Sequence, residues 1–246
     1  ESMDKLREAP GDFRAVHIDL RTKLEAQIQA VVRAGAAIPS KREILAQVEE
    51  ELWESREKPI PTFSRTLNQN LNGGLQAGKV FTIAGKAGGG KTTLALQLLE
   101  EIAARNKGRA EEDPLNVCLY IHLEQGRAEL LVKSYARLGE IDGGDIERRE
   151  ITSEDPRIRK ARTSYAQDIA PYFYTVEGGE GSTLRDVRAL AQKVNAQISD
   201  PHRLIVCLDP FQRLRTGDRD LDAEEISRVG AVASGLKIMA RELKVP

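Results

Sequence analysis

Aromatic residues make up only 4% of the 246-residue chain, and tryptophan occurs once. This argues against a surface built on aromatic rings that stack successive bases. An excess of charge of one sign is missing too, since 37 Lys and Arg stand against 38 Asp and Glu. No global field draws nucleic acid to the chain, so any such contact has to be a local patch. Cysteine is scarce: Cys118 and Cys207 each sit inside an apolar, strand-like run. They read as small core hydrophobes in a reducing compartment rather than as a disulfide or metal site. The three histidines, His17, His122 and His202, are scattered without ligand spacing. No apolar run approaches the length needed to span a bilayer, and the charged N-terminus is no signal peptide. A cytoplasmic location without a membrane partner is the expectation.

Glycine is where the chain concentrates its signal. Residues 80–93 read VFTIAGKAGGGKTT, a β-type run entering Gly85-Lys86-Ala87-Gly88-Gly89-Gly90-Lys91-Thr92, with Thr93 next. The string fits G-x-x-x-x-G-K-[ST], the phosphate-cradling loop of nucleoside triphosphatases. Four glycines within residues 85–90 let the backbone curl until successive N–H groups converge on a polyphosphate. Lys91 supplies a point charge for the β- and γ-phosphates, and Thr92 a hydroxyl for Mg²⁺. Leu94, Leu98 and Ile102 follow at helical spacing, so a helix aims its positive end at the same anion. ATP and Mg²⁺ are the ligands expected at residues 85–93.

Two levels of organisation flank this loop. Residues 1–58 are expected to form a small N-terminal helical segment. Its first helix, over 13–34, carries Val16, Leu20, Leu24, Ile28 and Val31 on one stripe. A second opens at the capping box Ser40-Lys41-Arg42-Glu43, with Ile44, Val48 and Leu52 on one face. Residues 59–246 alternate short strands with helices, the mark of an α/β domain with a mainly parallel sheet. Strands are expected at Val80–Ala84, Val117–Leu123, Tyr172–Val176 and Leu204–Leu208, and helices near 91–105, 127–138, 183–198 and 223–243. The stretch 140–162 reads as an irregular crossover or short helices.

Hydrolysis needs a second carboxylate for the metal and a group to orient water. The apolar strand Leu204–Leu208 ends in Asp209, which would lie at the sheet edge beside the phosphate loop. On its own, a strand-ending Asp before Pro210 could merely start a turn. Pro210 rules out the adjacent position for the water-orienting acid. Glu124, ending the 117–124 run, is the candidate catalytic base, with plain helix capping as its bland alternative. His122, two residues earlier, is open between packing and support of that group.

These residues resemble a family. Asn72-Gly73-Gly74-Leu75-Gln76-Ala77-Gly78, ahead of the loop, is similar to the RecA-like ATPases of the DnaB replicative helicase and KaiC group. His122-Leu123-Glu124-Gln125, with Leu130-Leu131 and Ala136-Arg137-Leu138, resembles the DnaB-type Ser-Leu-Glu-Met strand and the helix after it. Asp209-Pro210-Phe211-Gln212-Arg213-Leu214 and the segment Glu225–Pro246 resemble the next two blocks. The resemblance covers residues 60–246. Asp209-Pro210 and the run Arg215–Asp220 look more like the RepA-type plasmid helicases, and the N-terminal segment does not resemble the globular front domain of DnaB.

The resemblance implies a RecA-like P-loop ATPase core in a ring oligomer, a hexamer, with an arginine finger acting in trans on the neighbour's ATP. It also implies a further strand beyond Pro246 lying between the two nucleotide-motif strands, so the native polypeptide is expected to continue. Loops lining a central channel would grip single-stranded DNA. Arg213, Arg215 and Arg219 are the candidates, with Arg157, Arg159, Lys160 and Arg162 behind them. A solvated loop is the bland reading, since Asp218, Asp220 and Asp222 nearly cancel the first cluster. An ATP-driven helicase motor is the leading function. A KaiC-like oligomeric switch with a protein partner is the alternative, and a filament-forming recombinase a weaker third.

Overall fold

The structure, a computed structural model, describes residues 40–42, 44, 45, 49 and 57–246. The chain divides into two compact units, Glu1–Arg56 and Glu57–Pro246. In the first, residues 41, 42, 44, 45 and 49 are helical, and the Ile44 amide donates to the Ser40 carbonyl at 3.2 Å. The helix expected over 13–34 lies outside the described residues.

The second unit is built around three parallel strands. In chain order its elements are α1 (Arg65–Asn70), α2 (Lys91–Ala104), β1 (Leu115–His122), α3 (Arg127–Gly139), α4 (Gly143–Glu147), α5 (Pro156–Ser164), β2 (Phe173–Glu177), α6 (Leu184–Gln197), β3 (His202–Asp209), α7 (Arg219–Asp222) and α8 (Glu225–Leu243). The sheet order is β2-β1-β3, and the register sets Cys118 beside Phe173 and Ile205, and His122 beside Asp209. Parallel pairing requires a crossover between neighbours, and α3 to α5 and then α6 supply them.

β1 is the centre of the molecule because both of its faces are apolar. Val117, Leu119 and Ile121 pack with α6 and α8 through Val187, Ala191, Val232 and Leu236. On the opposite face Cys118 and Tyr120 meet α2 and α3 through Leu96, Leu99, Ile102 and Leu130. Alternation along a strand sends successive side chains to opposite faces, so one apolar run serves two helical layers. The result is a mainly parallel sheet flanked by helices. The cysteines are free and both belong to the α2-side core, as their apolar flanks predict. Burial pushes the Cys207 thiol up to about 12. Among the described residues no helix is long and apolar enough to cross a membrane.

One expected strand does not form. Residues 79–86 carry no regular structure, and Val80 and Ile83 are 46% and 38% exposed. A strand exists only where a neighbour completes its ladder, and this run has none among the described residues. The outer edge of β3 instead receives the chain end: the Val206 amide donates to the Pro246 carbonyl at 3.2 Å, and the Gly78 amide to Val245 at 3.1 Å. Ahead of it, the Asn72–Gly74 turn is shaped by an antiparallel bridge between Ile60 and Leu75. The stretch 140–162 holds the two short helices α4 and α5, each capped by an aspartate side chain, Asp142 and Asp155.

Candidate active site

The phosphate loop opens α2. Gly90 is the residue before its first turn and is left-handed at φ 79°, and Gly88 is left-handed at φ 71°. Such conformations are cheap for glycine alone, and alternating them turns the intervening peptide groups toward one side. A Cβ built on Gly88 or Gly90 would meet nothing within 4 Å, so the loop borders open space on that side. Lys91 folds back over the loop, its Nζ donating to the carbonyls of Gly85 and Lys86 at 3.0 Å each. Thr92 and Thr93 follow in the first turn of α2. Polar hydroxyl, ammonium and helix N-terminus at the mouth of an open loop form a donor set suited to a polyphosphate and its metal.

Asp209 ends β3 on the face of the sheet that α2 covers, since its register partner His122 shares the face of Tyr120 and Cys118. The Tyr120 hydroxyl donates to Asp209 Oδ2 at 2.7 Å. Burial, with that hydrogen bond to a carboxylate, holds the Tyr120 phenol well above its ordinary value. It therefore stays protonated and keeps donating, which orients the carboxylate. Tyr120 is a contact of the candidate site that motif reading passes over. The signal was present as a polar-tipped aromatic two positions before the end of a mostly apolar strand.

Glu124 follows β1 in a turn that other residues hold in place. The Leu123 amide donates to the Asp209 carbonyl at 2.9 Å, extending the ladder one residue past β1. His122 is 1% exposed and its Nδ1 lies 2.7 Å from the Gln125 carbonyl. A carbonyl only accepts, so Nδ1 carries the proton. His122 is thus both packed in the core and an anchor for the turn bearing Glu124. Glu124 itself is exposed, with Oε1 at 3.5 Å from Arg213 Nη2.

The loop arginines are placed differently from one another. Arg213 ends the 3₁₀ turn Phe211–Arg213 after β3. Arg215 donates from Nε to the Glu180 carbonyl at 3.0 Å, and Arg219 begins α7. The nearby carboxylates are engaged with the backbone: Asp218 caps α7, and Asp222 accepts from the Thr216 amide and hydroxyl at 2.9 Å each. Arg157 and Arg159 are paired with Asp155 and Glu154.

Behind the site, α2 and α3 are tied by charge. The Arg137 guanidinium spans Glu100 and Glu101, donating to each at 2.7 Å, and Ser134 donates to the other Glu100 oxygen. Glu100 is fully buried, and burial raises its carboxyl above the ordinary carboxylate value against the lowering effects of Ser134 and Arg137. The helix behind the phosphate loop is thereby tied to the helix behind Glu124.

Comparison with known proteins adds the following. The sequence profile of the DnaB-like helicase C terminal domain matches residues 59–246. No curated protein sequence matches the chain. Among solved structures, a DnaB-like replicative helicase, described together with its interactions with primase, superposes with a TM-score of 0.68 at 20% identity. The match covers 95% of this chain and 56% of that one, so the chain spans little more than half of that helicase. A second solved structure, an ATPase domain, gives a TM-score of 0.64 at 22% identity, covering 85% of this chain and 69% of its own. At these identities the likeness to both structures is one of fold.

Proposed function

The chain belongs to the DnaB-like helicase C-terminal domain family, and from that premise we propose that it is an ATP-driven motor domain coupling hydrolysis to movement along, or unwinding of, DNA. The observation that carries this reading is that Asp209 ends β3 and Glu124 follows the end of adjacent β1, so that both carboxylates leave the same end of the parallel sheet. The phosphate loop opens α2, the helix packed on the face of β1 and β3 to which Asp209 belongs.

In this reading Gly85–Thr93 binds the nucleotide phosphates through backbone N–H groups at the N-terminus of α2. Lys91 exchanges its two loop carbonyls for β- and γ-phosphate oxygens. Thr92 and Asp209 are the residues that would hold Mg²⁺. Bound Mg²⁺ supplies charge neutralisation on the phosphate oxygens. Glu124 accepts a hydrogen bond from the attacking water and takes its proton. Arg213, Arg215 and Arg219 lie just past the Asp209 end of β3 and contact single-stranded DNA phosphates. The assembly is a ring, a hexamer, in which a neighbouring subunit contributes an arginine finger, worth about 10³ to 10⁵ in turnover.

A strand-displacement assay on a forked duplex, run beside ATP turnover with and without DNA on the full-length protein, tests the reading. Unwinding with DNA-stimulated hydrolysis is the expected result. Neither unwinding nor stimulation would overturn it in favour of a KaiC-like switch acting on a protein partner.

A further inference from the structure

Arg213 and Glu124 are held across the ends of adjacent strands by anchors that do not involve their own side chains. On one side the Arg213 amide donates to Pro210 at 3.2 Å, Leu214 next to it is fully buried, and Arg228 of α8 donates to the Gln212 carbonyl at 3.3 Å. On the other, the Leu123 amide is bonded to Asp209 and His122 to Gln125. The side chains that meet between them, at 3.5 Å, are 64% and 58% exposed. The backbone beneath the pair is therefore fixed while the pair itself can open.

The choice of partner matters because Arg213 has carboxylates nearer in sequence. Asp218 and Asp222 are spent on capping α7 and on Thr216. The cation that follows β3 is instead set against Glu124, the proposed base. An exposed guanidinium is also a ready partner for a phosphate diester. The guanidinium meets Glu124 through Nη2 at 3.5 Å, so a phosphate that engages it bidentately draws it off that carboxylate.

We propose that Arg213 is a latch: the phosphate backbone of single-stranded DNA and the Glu124 carboxylate compete for its guanidinium, so that strand binding releases Glu124 to the water. The proposal rests on the motor reading above. Arg213 acts here as a positioning residue, through Glu124. Coupling between two ligands of one group is reciprocal, so loss of the Glu124 charge must tighten DNA binding even without nucleotide. The scale of an exposed ion pair sets the effect at about two- to five-fold.

The test is a double-mutant cycle on the full-length protein, read as fluorescence anisotropy of a labelled oligodeoxythymidylate at fixed low salt without nucleotide. Glu124→Gln is expected to tighten binding about two- to five-fold, and the gain is expected to vanish when Arg213→Ala is also present. At saturating DNA, Arg213→Ala is expected to lose a similar factor of the DNA stimulation of ATP turnover, through a faster rate without DNA. No tightening in Glu124→Gln, equal tightening in both backgrounds, or an unchanged stimulation ratio overturns the latch and leaves the motor standing. Absence of DNA binding by the unmodified protein overturns both.

Discussion

A methyl group placed on Gly74 would stand 2.1 Å from the Ile60 carbonyl oxygen, at a backbone φ of +136°. Backbone cannot yield as a side-chain tip does, and an L residue is strained at that φ. Gly74→Ala is expected to destabilise the second unit by about 2 kcal/mol, measured as a lowered urea midpoint. At the nucleotide site the expectations separate binding from chemistry. Lys91→Ala removes a charge-assisted contact to phosphate and should weaken ATP binding at least about tenfold, by the scale of hydrogen bonds to charged groups. Glu124→Gln should leave ATP affinity unchanged while turnover falls by about 10² to 10⁴. Calorimetric titration together with single-turnover hydrolysis distinguishes the two, and a Glu124→Gln variant that hydrolyses normally would move the base elsewhere. Gly88, Gly90 and Lys91 were legible in the sequence because a phosphate loop is a local chain conformation. Tyr120 was not, because its value lies in reaching a carboxylate 89 positions away.

Between elements, the strut from Arg137 to Glu100 and Glu101 carries the main electrostatic consequence. Removing the guanidinium by Arg137→Ala leaves a fully buried carboxyl without its cation, and a loss of about 3 kcal/mol is expected in chemical denaturation. The pH dependence follows from the raised Glu100 value. A carboxyl whose folded value lies above its unfolded one favours folding when protonated. That contribution is complete below 4.5, the ordinary value, and is lost as pH rises through the higher folded value. Melting temperatures of the wild type and of Glu100→Gln, compared across that window, should diverge in this sense, since the amide does not titrate. A constant difference would remove the assignment. The helices α2, α3, α6 and α8 were readable because their apolar residues recur at helical spacing. The run 80–84 has the composition of a strand and yet forms none, because a strand depends on a neighbouring ladder that composition does not report.

For the molecule as a whole, the balanced charge means that any grip on DNA comes from few residues. If Arg213, Arg215 and Arg219 each neutralise one phosphate, they contribute together a slope of about 2 in log Kd against log salt, at roughly 0.7 per contact on single strands. Arg215→Ala and Arg219→Ala should each lower that slope by about 0.7. A flat titration would remove the electrostatic contact altogether. What the sequence determined by itself was whatever is local or periodic. It specified the glycine loop, the strand-ending Asp209, the carboxylate Glu124 just past β1, the two-sided apolar run of β1, and through their order the parallel α/β class. Only the tertiary structure decided who faces whom: Tyr120 on Asp209, Arg137 across Glu100 and Glu101, and Arg213 on Glu124 rather than on its own loop's aspartates. Those pairings join residues that are distant along the chain. Their geometry is set by the register of parallel strands and by helices packed across them, which no window of sequence contains.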